Sequence, residues 1–193
     1  MSRIPQQPAR EALAEAALEL FYRQGVANTT LADIAGAARV PTGNVYYHFR
    51  TKEALVEAVI DKRIEELERS LAKADVHEEP LARLQAIIHS YQSRVEAEAD
   101  TVIAYGCPYA SLLDDLSKLG SEHLQKGRDL LKLYVNYTQS QFEALGKGGE
   151  AEDLALEFIS RIQGAYVLSR SFSTAAVLAR QLERLEVWLE AQV

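Results

Sequence analysis

The stretch from Thr29 to Phe49, TTLADIAGAARVPTGNVYYHF, constrains the chain more than any other. Thr30 with Asp33 three residues on is a capping-box signal that starts a helix. Ile34, Ala35 and Ala38 recur on its inward face, and the run Gly36, Ala37, Ala38 is small enough to let another helix come close. Arg39-Val40-Pro41 then breaks it. Proline lacks an N–H and is tolerated in a first turn, so the next helix starts about there. Val45 and Phe49, four apart, share that helix's inward face, which leaves Thr42, Asn44, Tyr46, Tyr47 and His48 for the outer faces.

The flanking sequence reads as a scaffold for this pair. Residues 1–8 carry two prolines and no periodicity and read as an arm. From Pro8, Leu13, Ala16, Ala17, Leu20 and Phe21 form one apolar stripe, and Gly25 is a C-terminal cap. Thr51 caps a long fourth helix carrying Leu55, Val59, Ile60, Ile64, Leu67 and Leu71. Glu78-Glu79-Pro80 opens a fifth that runs to about Glu98, Cys107-Pro108 opens a sixth that ends at Gly120, and a seventh spans Leu124 to Phe142. After the loop Gly146-Lys147-Gly148-Gly149, two more helices cover about Glu150–Ser169 and Ser173 to Gln192. No alternating strand pattern and no internal repeat appears. The expected fold is all α with about nine helices: one domain over residues 6–66, its helix-turn-helix at about 30–49, and a second over 67–193.

Composition narrows the function classes. No uninterrupted apolar run approaches membrane-spanning length, and the N-terminus lacks the apolar core of a signal peptide, so a cytoplasmic protein is expected. A single cysteine, Cys107, allows no internal disulfide and no cysteine-based zinc cluster, and His77, His89 and His123 show no metal-ligand spacing. No nucleophile–base pair or phosphate loop appears, so neither an enzyme nor a bound cofactor is expected. The net charge of −7 is uneven: residues 1–52 hold six Lys/Arg against four acids, while the rest holds 15 against 24. A mildly basic end on an acidic body suits local contact with phosphates.

Short polar Thr42 and Asn44 suit base edges or phosphates in a major groove, and the Tyr46 and Tyr47 rings can lie against thymine methyls or sugars. Lys52 can neutralise a phosphate, and Thr30 can offer another its hydroxyl and the N–H groups of a helix start. The same aromatics could instead be core. Residues 9–66, through ALELFYRQGVANTTLADIAGAARV and GNVYYHFRTKEALVEAVI, resemble the DNA-binding domain of the TetR family of transcriptional regulators. The resemblance implies that Thr30 and Lys52 touch phosphates, that Tyr47 and His48 lie along the backbone, and that Thr42, Gly43, Asn44 and Tyr46 face the groove. Pro41 departs from the family, where a serine or longer polar residue is common.

The resemblance further implies a homodimer on a palindromic operator, with the last two helices as the interface through Phe158, Ile162, Leu178, Leu182 and Leu185, and Gly164 allowing close approach; the same stripes could instead bury the helices in their own core, or do both. It implies a body cavity for a small-molecule inducer that lowers operator affinity, with Tyr91, Tyr105, Tyr109, Tyr134, Tyr137, Phe142 and Tyr166 as candidate lining; aromatics at helical spacing are also ordinary core. Gly106-Cys107-Pro108 puts a thiol at a helix N-cap, where the helix dipole favours a thiolate; the same residue also reads as a buried, small apolar start to the helix. YGCPYASLLDDL resembles a stretch in a TetR subgroup that includes the repressor of N-ethylmaleimide reductase, where the equivalent cysteine senses electrophiles. The adjacent Asp114 and Asp115 are expected on a solvated face. The expected function is a dimeric ligand-responsive repressor; the alternative is an all-helical binding protein or enzyme with no role on DNA.

Overall fold

The computed structural model describes residues 6–119 and 121–192. Nine α-helices follow in order: α1 Gln6–Gln24, α2 Leu31–Ala37, α3 Thr42–His48, α4 Lys52–Ala74, α5 Pro80–Tyr105, α6 Pro108–Leu119, α7 Ser121–Ala144, α8 Ala151–Ser171 and α9 Ala175–Glu190. There is no strand among the described residues. Gly120, the expected stop of helix six, and residues 1–5 of the expected arm lie outside the described residues.

The helix ends have local causes. Gly25 takes a left-handed φ of 83° and its N–H closes α1 on the Phe21 carbonyl. α2 ends without a glycine. Arg39 itself adopts φ 54°, with its N–H on the Gly36 carbonyl and the Val40 N–H on the Ala35 carbonyl, a Schellman closure on a residue that resists the conformation. Pro41 is therefore the N-cap of α3, one position ahead of the first helical residue. α5 runs to Tyr105 rather than stopping at Glu98, but Glu98 leaves helical geometry (φ −134°, ψ 35°) and kinks it there. Ser173 ends α8 as Arg39 ends α2, at φ 52° with the Thr174 N–H on the Ser169 carbonyl.

The chain forms two compact units. One holds the described residues up to Glu65 together with Ser111–Arg128; the other holds Glu66–Ala110 and the chain from Asp129 on. Residues 111–128, expected in the second domain, thus cluster with the first. The first unit's core joins Leu13, Ala17 and Phe21 of α1 to Ile34, Val45, Phe49, Leu55 and Ile60, with Leu112 and Leu116 of α6 completing it. Lys62 of α4 is held by Glu11 and Glu15 of α1. Gly127 lets α7 come close to α6, since a Cβ there would sit 2.7 Å from a Leu116 methyl.

In the second unit α8 packs along α9, and α5 packs on both. Phe158, Ile162, Leu178, Leu182 and Leu185 are all buried there. Of the two roles open to these five, the chain itself shows the core: α8 and α9 spend them on each other and on α5, because their apolar stripes meet inside one chain. Buried Ser169 fixes the α8–α9 turn, donating to the Thr174 carbonyl (2.8 Å) and accepting from the Leu178 N–H (2.9 Å).

Candidate nucleic-acid interface

α2 and α3 form a helix-turn-helix whose inner face is fixed and whose outer face is bare. Ile34, Val45 and Phe49 are at most 1% exposed. Arg10 stacks its guanidinium over the Phe49 ring at 4.9 Å. With those anchors, Thr42, Gly43, Asn44, Tyr46 and Tyr47 all project to solvent, and His48 is half-buried. Tyr46 and Tyr47 are 58% and 68% exposed, which places them outside the core as the DNA reading requires. Tyr47 stacks edge-on with His48 at 5.1 Å, so each ring limits the other's rotation. Nothing lies within 4 Å of where a Gly43 Cβ would be, leaving the face open. Lys52 sits half-buried at the start of α4, next to the Thr51 hydroxyl that accepts the Ala54 N–H.

Thr30 is exposed, but its hydroxyl is engaged. It accepts the Asp33 N–H (3.1 Å) and donates to the Asp33 carboxylate (2.6 Å), which in turn accepts the Thr30 N–H (2.9 Å). This is a complete capping box. The hydrogen bond from the Thr30 hydroxyl, seconded by its backbone, holds the Asp33 carboxyl below its ordinary range.

One positioning residue was missed from sequence. Asp115 of α6 accepts the Val26 N–H at 2.8 Å, at the turn between α1 and α2. The expected solvated face holds for Asp114, which pairs only with Lys118, but not for Asp115. A carboxylate one residue before buried Leu116 is half-turned into the core, and the open N–H after Gly25 supplies the reason.

Within the second unit, the candidate sensor residues separate. Tyr91 of α5, Tyr109 of α6 and Tyr134 of α7 line a cleft of about 150 Å³ together with Leu67, Ser70 and Leu71 of α4 and Ile87, Ser90 and Arg94 of α5. Tyr166 backs this wall, edge-on to Tyr91 at 6.0 Å. Burial raises the Tyr91 and Tyr134 hydroxyls well above the ordinary phenol value, and each also feels nearby Cys107. Tyr105, Tyr137 and Phe142 are not brought to the cleft. Tyr137 donates to Asp75 (2.6 Å), and Phe142 packs on Trp188. Cys107 precedes α6 as expected, and it is only 3% exposed. Arg94, the cleft's charged residue, was also missed; an arginine interrupting the apolar α5 stripe of Leu84, Ile87, Ile88, Tyr91 and Val95 was the available signal. Among the described residues no group of His, Cys, Asp or Glu is placed to hold a metal, and no helix is long and apolar enough to cross a membrane.

Comparison with known proteins agrees with this geometry. Residues 13–59 match the family described as bacterial regulatory proteins, tetR family. The chain is 30% identical over 169 residues to a probable HTH-type transcriptional regulator, ArpR of Pseudomonas putida, covering 83% of this chain and 77% of that one. It is 28% identical to the HTH-type transcriptional repressor DhaR of Mycobacterium sp. (strain GP1), covering 82% and 80%. The fold matches the reduced form of Escherichia coli NemR with a TM-score of 0.78 at 19% identity, over 92% of this chain and 96% of that one. ArpR and DhaR are named as transcriptional regulators, and the matched family is one of regulatory proteins. A helix-turn-helix with a buried anchor and a bare outer face, the matched residues and the full-length likeness lead to one conclusion: the chain belongs to the TetR family of transcriptional regulators.

Proposed function

We propose that the protein is a cytoplasmic, homodimeric repressor that binds a palindromic operator and leaves it when a small molecule enters the second unit. The observation that carries this reading is the division of labour in residues 42–49. Val45 and Phe49 are buried while Thr42, Gly43, Asn44, Tyr46 and Tyr47 are bare, as a groove-reading helix needs. Tyr47, His48 and Lys52 grip phosphate; Thr42, Asn44 and Tyr46 face base edges. Thr30 contributes through its place at the start of α2, because its hydroxyl serves Asp33.

The partner-facing surface is the outer side of α8. Leu156, Val167 and Leu168 of α8 and Phe172, its C-cap, are exposed, and Gly164 has open space where its Cβ would be. Exposed apolar side chains of this kind suit a self-complementary two-fold interface. Release proceeds by noncovalent binding rather than thiol chemistry: buried Cys107 lacks the access of a reactive thiolate, and the cleft supplies a binding volume. A ligand lowers operator affinity only if it prefers the conformer that does not span both half-sites.

The deciding experiment selects bound sequences from a random DNA pool and footprints the winner. Two inverted half-sites about one helical turn apart are expected, with affinity falling steeply with salt. Tyr47→Ala and Lys52→Ala should weaken binding to every sequence, whereas Asn44→Ala should change which sequence wins. No enriched palindrome, or unchanged binding in all three variants, overturns the reading.

A further inference from the structure

We propose that the effector is a small neutral molecule the size of a single aromatic ring that carries a hydrogen-bond acceptor, its ring taken by the tyrosine-lined cleft of the second unit and its acceptor by the Tyr134 hydroxyl. This rests on the reading that the second unit binds the effector, and it adds the chemical class.

The volume sets the size. An apolar cavity of about 150 Å³ accommodates one benzene ring, and this cleft has that volume. Leu67, Leu71 and Ile87 make one wall apolar, while Tyr91 and Tyr134 offer ring faces and edges.

The polar groups set the chemistry. Tyr134 is 2% exposed, and its hydroxyl has no protein partner at normal hydrogen-bond geometry. The Tyr91 hydroxyl interacts with it but falls short of that geometry. Burial raises both phenols well above their ordinary value, so each keeps its proton. A buried O–H without an acceptor is costly, and a carbonyl oxygen on a ligand relieves that cost. Three other polar groups of the lining are already engaged. Ser90 donates to the Ile87 carbonyl at 2.7 Å, Arg94 is paired with Glu98 and makes further interactions, and Tyr109 also interacts within the chain. Ser70 is only half-buried, where water competes for its hydroxyl. An anion or a cation would enter without a free counter-charge, since Arg94 is engaged and no carboxylate lines the cleft.

Calorimetry of the full chain tests this with four single-ring probes: acetophenone, which only accepts, toluene, which does neither, and the ions benzoate and benzylammonium. Acetophenone should bind with a Kd of roughly 10 µM to 1 mM, at least about fivefold tighter than toluene, and both ions should bind more weakly than acetophenone. Tyr134→Phe keeps the ring and removes the donor. It should bring acetophenone down to the level of toluene without changing toluene, a split that a merely structural hydroxyl would not give. Ser90→Ala removes a hydroxyl already spent and should leave the acetophenone preference intact. Acetophenone binding no better than toluene, either ion binding more tightly than acetophenone, no acetophenone binding up to about 10 mM, or equal acetophenone binding by Tyr134→Phe overturns the proposal. Calorimetry involves no DNA, so it stands apart from the operator test. A protein that binds its palindrome and is released by an ion but not by acetophenone keeps the repressor reading and loses the neutral-acceptor class.

Discussion

Phe49 and Tyr47 stand two residues apart on one short helix and its end, yet they answer to different demands. Phe49 is 1% exposed, fills the first unit's core and carries Arg10 on its face, so Phe49→Ala should lower the unfolding free energy by about 3–5 kcal/mol in urea titration. Tyr47 is 68% exposed, so Tyr47→Ala should shift stability by no more than about 0.5 kcal/mol while operator affinity falls in a gel-shift assay. Asp33 gives a pH signature. Its carboxyl is depressed by hydrogen bonds from Thr30, so its contribution is full above the ordinary carboxylate pKa and is lost as pH falls through the lowered one. Asp33→Asn should therefore remove part of the acid-side loss in thermal midpoint and leave the slope near neutrality unchanged, as followed by circular dichroism. Equal acid limbs for the two proteins would contradict that role.

Among the elements, α6 does more than its length suggests. Its first residues lie beside the cleft through Tyr109, and its later ones, Leu112, Asp115 and Leu116, belong to the first unit's core and turn. Asp115 satisfies the N–H of Val26, a residue only 1% exposed, and Gly25 beside it has no room to spare: a Cβ there would stand 3.2 Å from the Asp115 carboxylate. Asp115→Ala leaves a buried donor unpaired and should cost about 1–3 kcal/mol, measured by denaturant unfolding. It should also lower operator affinity although it touches no DNA, because the turn it holds sets where α2 begins. A variant that unfolds like wild type would show that water serves Val26 equally well.

At the scale of the whole molecule, the proposed homodimer needs a surface that one copy offers to another. Ile162 and Leu178 are core, and the exposed large apolar side chains on these two helices are Leu156, Val167, Leu168 and Val187, with Phe172 at the end of α8. Val167→Glu with Leu168→Glu should therefore yield a folded monomer by analytical ultracentrifugation with helicity unchanged, and operator affinity should drop with the loss of the second half-site. Ile162→Glu should instead unfold the protein, since it buries an unpaired charge. A dimer that survives both charges would move the interface elsewhere.

What the sequence determined alone is local. The capping box at Thr30 and Asp33, the stop at Gly25 and the inward spacing of Val45 and Phe49 are written within a few residues, because a helix start, a left-handed turn and a 3.6-residue period depend on near neighbours. The bare outer face of α3 followed from that. The end of α2 was legible only in part, since Arg39 holds a turn that usually takes a glycine. Tertiary structure decided which side of each amphipathic helix meets another. Periodicity marks a buried face without naming what covers it, so the inner stripes of α8 and α9 could be read as interface or as core, and within the chain they cover each other and α5. It also set Asp115 against Val26, 89 residues away, and built the cleft from four different helices. Those contacts join segments far apart in the chain, and nothing in the residues next to them encodes the partner.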